Sequence, residues 1–246
     1  MLYLIGIGLT YKDLSVRALE TIKKCNVVYL EVYTSLMNAK KTELEKLFKK
    51  KIILADRDLV ENKTNEILEN AKKKNVAFLV TGDIFSATTH TSLFLEARKQ
   101  DIEVKTLHGI SILTAVSETG LSLYNFGKTT SIPFIEGNWL VETPYNIIKE
   151  NKEMHTLVLL DLKNDKMMTV SQGIKFLLEL EEKRKEKIFL EERLIIGCSA
   201  LGTEKQEVKY GKAKEILNHK FKNFPQCIII PGKMHFMEEE FLKNFN

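Results

Sequence analysis

Two apolar runs, each stopping at a glycine just ahead of a helical pattern, constrain this chain more than any other feature. The first is LYLIGIGLTYKDLS at residues 2–15, and the second is FLVTGDIFSATTH at residues 78–90. A strand that ends in a glycine turn and leads into a helix leaves backbone N–H groups at its carboxyl end. Open α/β sheets bind charged small molecules at such ends. The spacing therefore predicts a ligand site at strand tips.

The first half of the chain alternates between the two periodicities. Residues 1–6, VVYLEVY (27–33), KIILA (51–55), NVAFLVTGD (75–83) and DIEVKTLHG (101–109) are rich in β-branched and apolar residues. Between them lie helical patterns, one capped by Asp13 or Ser15 with Leu14, Ala18, Leu19 and Ile22 on one face. Another spans 60–74 with Val60, Ile67, Leu68 and Ala71 inward, and a third spans 88–99. This alternation predicts βαβ units and a mostly parallel sheet. The texture then changes. ISILTAVSETGLS (110–122) predicts a tightly packed helix and GKTTSIPFIEGNW (127–139) an irregular stretch. Strands follow at HTLVLLDLK (155–163), ERLIIGCSALGT (192–203), KQEVKYG (205–211) and QCIIIPGK (226–233), with helices at 171–187 and roughly 212–222. The fold class is α/β in two α/β domains, 1–112 and 113–246, with the mostly parallel sheet in the first.

Composition excludes several functions. The 246 residues are 44% hydrophobic and 28% charged, as in ordinary globular proteins, and no run reaches the roughly 18 apolar residues of a membrane span. The opening MLYLIGIGL lacks a basic leader and reads as a buried strand rather than a secretion signal. Cys25, Cys198 and Cys227 are distant in sequence and form no C-x-x-C pair, which predicts reduced core thiols in a cytoplasmic protein and no bound metal. The net charge of +4 comes from lysine-rich helical faces without interleaved arginine and aromatic residues, so direct nucleic-acid binding is not expected.

The motifs offer binding turns without an evident catalytic dyad. Gly6 and Gly8 give G-x-G, and Glu31 ends the next strand, but Tyr11 stands where a nicotinamide fingerprint needs its third glycine. Asp83 either accepts from a ligand hydroxyl or caps its own turn, with capping favoured. Ser86, Thr88, Thr89 and His90 extend the polar cluster, His90 reading as a surface residue of the following helix. No nucleophile elbow, Walker loop or H-E-x-x-H pattern is present, and the pairs Asp56 with Asp58 and Glu136 with Asp161 have no local acid–base context. Such a site suits a reaction in which a bound cofactor supplies the reactive group and the protein orients the partners.

Taken in order, LIGIGL, VYLEVYTS, GDIFSATTH, IEGNW and PGKMH resemble the diphthine synthases, within the tetrapyrrole-methylase-like class of S-adenosylmethionine-dependent methyltransferases. The likeness spans nearly the whole chain. It implies two α/β domains with S-adenosyl-L-methionine in the cleft between them, usually in a homodimer. It also implies methylation of the amino group of a 3-amino-3-carboxypropyl-histidine on translation elongation factor 2, giving diphthine. Eukaryotic members add a methyl ester, whereas the compact chain resembles archaeal members and points to the trimethylammonium product. The implied cofactor contacts are Leu9, Asp83, Ser86, Ser111, Ile112, Leu160, Leu201 and Gln226. Ile84 replaces the family's usual proline after the GD turn, Gly109-Ile110 replaces a small residue with proline, and Gln226 replaces a frequent histidine, its amide remaining able to pair with adenine. Tyr33, Phe85, Phe134 and Trp139 are candidates to face a methylated ammonium, with core packing the favoured reading of each, and no residue is singled out as the proton acceptor. A tetrapyrrole methyltransferase of the same class and a non-catalytic S-adenosylmethionine-binding adapter are the alternatives.

Overall fold

The computed structural model describes residues 1–36, 39–86, 90–135, 137, 141–163 and 166–246. The chain divides into two compact units, Met1–Ile112 and Leu113–Asn246.

The first unit runs β1 (Leu2–Gly6), α1 (Val16–Lys24), β2 (Val27–Glu31), α2 (Lys41–Phe48), β3 (Ile52–Ala55), α3 (Thr64–Lys73), β4 (Val76–Val80), α4 (Thr91–Lys99) and β5 (Val104–Leu107). All five strands are parallel, in the order β3-β2-β4-β1-β5. Successive side chains of a strand point to opposite faces, and the two central strands show it cleanly. Leu2, Leu4, Val76, Phe78 and Val80 pack with Ile67, Leu68 and Ala71 of α3 and Leu93 and Ala97 of α4. Ile5, Ala77 and Leu79 face the other way, against Ala18 and Ile22 of α1 and Leu44 and Phe48 of α2. Both faces are covered, which is why these strands read as continuous apolar runs. Each fully buried leucine or isoleucine contributes roughly 1.5–3 kcal/mol relative to exposure.

Local chemistry sets the boundaries. The Ser15 hydroxyl accepts from the Ala18 N–H at 3.1 Å, fixing the start of α1, and Lys23 and Lys24 face its negative end. β2 ends at Glu31, two residues before the apolar pattern does, because the Glu31 carboxylate takes the N–H groups of Tyr33 and Thr34 and turns the chain. The helix predicted over 60–74 begins at Thr64, after a wide π-type turn over Asp58–Asn62. Its four expected inward residues are buried.

The second unit contains α5 (Ile112–Ala115, beginning on the last residue of the first), β6 (Thr130–Ile132), α6 (Thr143–Glu150), β7 (Thr156–Leu160), β8 (Leu162–Lys163), β9 (Lys166–Met167) and α7 (Val170–Arg184). It continues with β10 (Leu194–Ser199), β11 (Glu207–Lys212), α8 (Ala213–Asn218), β12 (Gln226–Ile230) and α9 (Phe236–Leu242). Its main sheet, β11-β10-β12-β7-β6, is antiparallel except for the β6–β7 pair. Val170, Ile174, Leu177 and Leu180 of α7 lie on one face at helical spacing and pack with Tyr145, Val158, Ile195 and Ile228. The single helix expected over 110–122 is instead one turn of α5 and a tighter turn over Val116–Thr119, stopped by Gly120 at φ +78°. The expected irregular stretch contains β6, and the helix expected to reach 222 stops at Asn218. Among the described residues, no helix is long and apolar enough to cross a membrane.

Candidate functional site

The carboxyl edge of the parallel sheet brings three loops together. Gly8 and Gly82, both at positive φ (+80° and +82°), exchange two backbone hydrogen bonds, Gly8 N–H to Gly82 O at 3.1 Å and Gly82 N–H to Gly8 O at 2.8 Å. The two glycine turns that dominate the sequence are thus one structure, closed by a bridge across the tips of β1 and β4. Both residues occupy a left-handed conformation that a side chain would strain. Gly6 is required by proximity: a Cβ there would sit 2.6 Å from the Gly82 carbonyl oxygen and 2.8 Å from the Gly109 nitrogen.

Asp83 ties β4 to β5. Its Oδ1 accepts from the Phe85 N–H at 3.1 Å and the Ser86 hydroxyl at 3.2 Å. Its Oδ2 accepts from the Gly109 N–H at 3.1 Å and lies 2.8 Å from His108 Nδ1. Burial opposes the charged form, but the donated hydrogen bonds from Phe85, His108 and Gly109, with the His108 charge, outweigh it and hold the carboxyl below its ordinary value. The carboxylate therefore caps its own turn and locks the neighbouring strand end. Ile84, where the family usually has proline, is fully buried in the core and anchors the turn by packing. Ser111 is buried two residues beyond Gly109, while Leu9, Ser86 and Ile112 are half-buried. Beside them the Thr81 hydroxyl is buried and, among the described residues, has no hydrogen-bond partner.

His90 corrects the sequence reading: it is fully buried, not a surface residue. Its ring meets Phe78 edge-on at 5.3 Å and Tyr33 at 6.1 Å, and neither ring nitrogen has a hydrogen-bond partner among the described residues. Glu31 Oε2 lies 3.8 Å from His90 Nε2. The Arg57 guanidinium lies over the Tyr33 ring at 5.3 Å, covering one face of the first aromatic candidate. Phe85 meets Phe94 edge-on, and Phe134 packs on the second unit's core with its N–H on Asp161. Trp139, Thr88, Thr89 and Glu136 lie outside the described residues. Asp56 and Asp58 are turn caps, accepting from the Leu59 N–H and from Asn62 and Lys63.

In the second unit, Leu160 and Leu201 are buried at the ends of β7 and β10. Gln226 opposes Ser199 across the β10–β12 ladder. Its amide is not free for adenine, as the sequence suggested: Oε1 accepts from the Val170 N–H at 2.8 Å and Nε2 donates to Asn223 O at 3.0 Å. The buried Ser199 hydroxyl has no partner among the described residues. Thr81 in the first unit and Ser199 in the second thus each place, close in sequence or strand pairing to residues implied as cofactor contacts, a buried hydroxyl without a partner among the described residues. That fits a polar ligand such as S-adenosylmethionine, since an orphaned buried hydroxyl otherwise costs about 1–3 kcal/mol. Cys198 and Cys227, remote in sequence, are direct cross-strand neighbours, and all three cysteines are free and buried.

Sequence reasoning missed His108, whose only signal was its place at the tip of a strand beside β1, and weighed Glu31 only for a nucleotide ribose.

Comparison with known proteins agrees with this geometry. Residues 1–217 match the family of Tetrapyrrole (Corrin/Porphyrin) Methylases. A diphthine synthase of Methanococcus maripaludis is 44% identical over 99% of this chain and 98% of its own length. A diphthine methyl ester synthase of Saccharomyces cerevisiae is also 44% identical, over 100% of this chain and 89% of its own. A crystal structure of a diphthine synthase superposes with a TM-score of 0.91 at 32% identity, covering 100% of this chain and 96% of that one. One from Entamoeba histolytica gives a TM-score of 0.93 at 39% identity, covering 100% and 98%. With its parallel sheet closed by paired glycine turns and relatives matched nearly end to end, this chain belongs to the tetrapyrrole methylase family and, within it, to the diphthine synthases.

Proposed function

We propose that this protein methylates the amino group of the 3-amino-3-carboxypropyl-histidine of translation elongation factor 2, forming diphthine in diphthamide biosynthesis. S-adenosyl-L-methionine is the methyl donor, the protein works in the cytoplasm as a homodimer, and neither nucleic acid nor membrane is a partner. The carrying observation is the 44% identity to a diphthine synthase over 99% of the chain, together with a strand-tip site that holds binding loops rather than a nucleophile.

When bound, the cofactor supplies a methyl group on a positively charged sulphur. The chain's own residues do the rest. In the first unit the proposed cofactor contacts are Leu9, Asp83, Ser86, Ser111 and Ile112, with Asp83 holding its turn and the tip of β5 in register. Thr81, whose hydroxyl has no partner among the described residues, lies beside them in sequence. In the second unit the proposed contacts are Leu160, Leu201 and Gln226, the last with its amide engaged by Val170 and Asn223 and lying opposite Ser199, whose hydroxyl has no partner among the described residues. Preorganised loops of this kind lower the barrier by fixing donor and acceptor rather than by covalent chemistry. The acceptor amine must be neutral to attack, because an ammonium has no lone pair.

Mass spectrometry of elongation factor 2 carrying the aminocarboxypropyl group, before and after incubation with protein and cofactor, tests the reading. Mass gains in steps of one methylene support it, and an unchanged mass overturns it. The yeast relative's name supports a second product, and base lability of the last methyl distinguishes an ester from a fully methylated amine. Calorimetric binding of the cofactor without transfer would instead identify an adapter.

A further inference from the structure

The most exceptional group in the first unit is one that the binding loops leave unused. A fully buried imidazole with neither nitrogen hydrogen-bonded among the described residues is costly unless it has a task. His90 is that group. The two segments that place it and its neighbour, VYLEVYTS and GDIFSATTH, were read separately in the sequence, and they meet here: Glu31 ends β2, and His90 begins α4. Thr34, half-buried, points its hydroxyl at the same carboxylate oxygen that faces His90, with Thr34 Oγ1 to Glu31 Oε2 at 2.6 Å and Glu31 Oε2 to His90 Nε2 at 3.8 Å. The other oxygen of Glu31 anchors the carboxylate on the Tyr33 and Thr34 N–H groups at 2.5 Å each, and Oε2 has still to close the gap to His90 Nε2 as the substrate binds. The result is a line of exchangeable protons from a partly accessible hydroxyl to a buried base. It lies at the tip of β2, which pairs directly with β4, the strand that runs into the Asp83 turn.

We propose that Thr34, Glu31 and His90 form the relay that takes the proton from the acceptor amine before each methyl transfer. The inference rests on the amine-methylating function above. The acceptor ammonium gives a proton to Thr34 Oγ1, Thr34 passes its own hydroxyl proton to Glu31 Oε2, and Glu31 passes it to His90 Nε2. The amine regains its lone pair and His90 becomes an imidazolium, with no co-reactant consumed. The neutral amine then forms the new C–N bond as the methyl–sulphur bond breaks, its electrons staying on sulphur. His90 discharges to water by the same route before the next turn. Among the described residues, the groups facing the relay are Glu31 and Tyr33 from β2 and its turn, the apolar Phe78 from β4, and, over the Tyr33 ring, Arg57 from the turn after β3.

The test is single-turnover methylation of aminocarboxypropyl-bearing elongation factor 2 across pH 6–10, with cofactor binding followed by calorimetry. His90→Asn and Thr34→Val are expected to bind cofactor as the parent does and to slow transfer at pH 7 by about 100-fold, in the range of general base catalysis. The deficit is expected to close as the pH rises through the ordinary range of amines, about 8 to 10, where water alone deprotonates the acceptor. Thr34→Ser should restore most of the rate lost in Thr34→Val. A rate unchanged at pH 7, or one depressed equally at every pH, overturns the relay. If His90→Asn does not fold, Thr34→Val, which alters a half-buried position, decides the matter alone. Failure of the parent protein itself to methylate the substrate would defeat the assigned reaction, and is distinct from either result.

Discussion

Replacing Asp83 by Asn isolates what the carboxylate does in the GD turn. The change preserves shape and the oxygen that accepts from the Phe85 N–H and Ser86 hydroxyl, but turns the other arm into a donor. That arm faces two donors, the Gly109 N–H at 3.1 Å and His108 at 2.8 Å. Losing a charge-assisted bond to a backbone N–H costs about 1.5–3 kcal/mol. The His108 side chain is 72% exposed, so that pair adds under about 1 kcal/mol. We expect a net cost of about 2–3 kcal/mol at pH 7, read as a loss of about 30- to 150-fold in hydrogen-exchange protection of the Gly109 amide. The pH dependence supplies a sign check. Asp83 is held below its ordinary value of 3.8 in the fold, so its contribution is present above that value and disappears as the pH falls through the folded pKa. The gap between parent and variant should therefore be present at pH 7 and shrink below pH 3.8. Equal protection of Gly109 in both proteins at pH 7 would refute the reasoning, as would a gap that survives full protonation.

Three further outcomes follow from other parts of the molecule. Gly109→Ala would drive a Cβ into the Gly82 carbonyl oxygen and to 2.6 Å from the Gly6 carbonyl carbon; overpacking of this kind costs about 1–3 kcal/mol, and chemical denaturation should show it together with weakened cofactor binding. Burial opposes the charge on Glu238, but N–H groups of Ser122 and His235 and the nearby His155 hold its carboxyl down at about 2. Its contribution is therefore complete above its ordinary value of 4.5 and lost between that pH and about 2, and Glu238→Gln should make the acid limb of the circular-dichroism unfolding curve shallower. All three cysteines are free and buried, and burial pushes the Cys25 thiol up to about 11; mass spectrometry after brief iodoacetamide treatment at pH 8 should find none of them alkylated in the native protein and all three after unfolding.

The elements most legible in the sequence were those whose residues face an apolar layer on both sides. β1 and β4 were visible as unbroken apolar runs because each alternates Leu4 with Ile5, or Phe78 with Leu79, between two separate cores. Elements whose ends depend on a side chain reaching back to the main chain were read too long, as where Glu31 ends β2 or Gly120 halts the turn after α5. The site was legible to the same degree. Glycine turns and the capping preference of Asp83 can be inferred from local chemistry, and the structure has Asp83 capping. The Glu31–His90 encounter spans 59 positions and depends on β2 lying next to β4, which no local pattern encodes. Gln226 shows the opposite error: an amide counted as available is consumed by Val170, 56 positions away.

The strand order gives these observations a common cause. In β3-β2-β4-β1-β5, the crossing from β2 to β3 and the crossing from β4 to β5 leave different loops at one edge of the sheet. The tips of β1, β4 and β5 are welded by backbone contacts and by Asp83, leaving main-chain groups fixed for a ligand that must be held the same way each time. The tip of β2 is held by the Val32 N–H on the Ala55 carbonyl and by the Glu31 carboxylate, which accepts from the Tyr33 and Thr34 N–H groups and the Thr34 hydroxyl. In the proposed reaction the first property would serve the donor and the second the acceptor, rigidity fixing geometry and proton mobility freeing the amine's lone pair. The parallel sheet places them on adjacent strands.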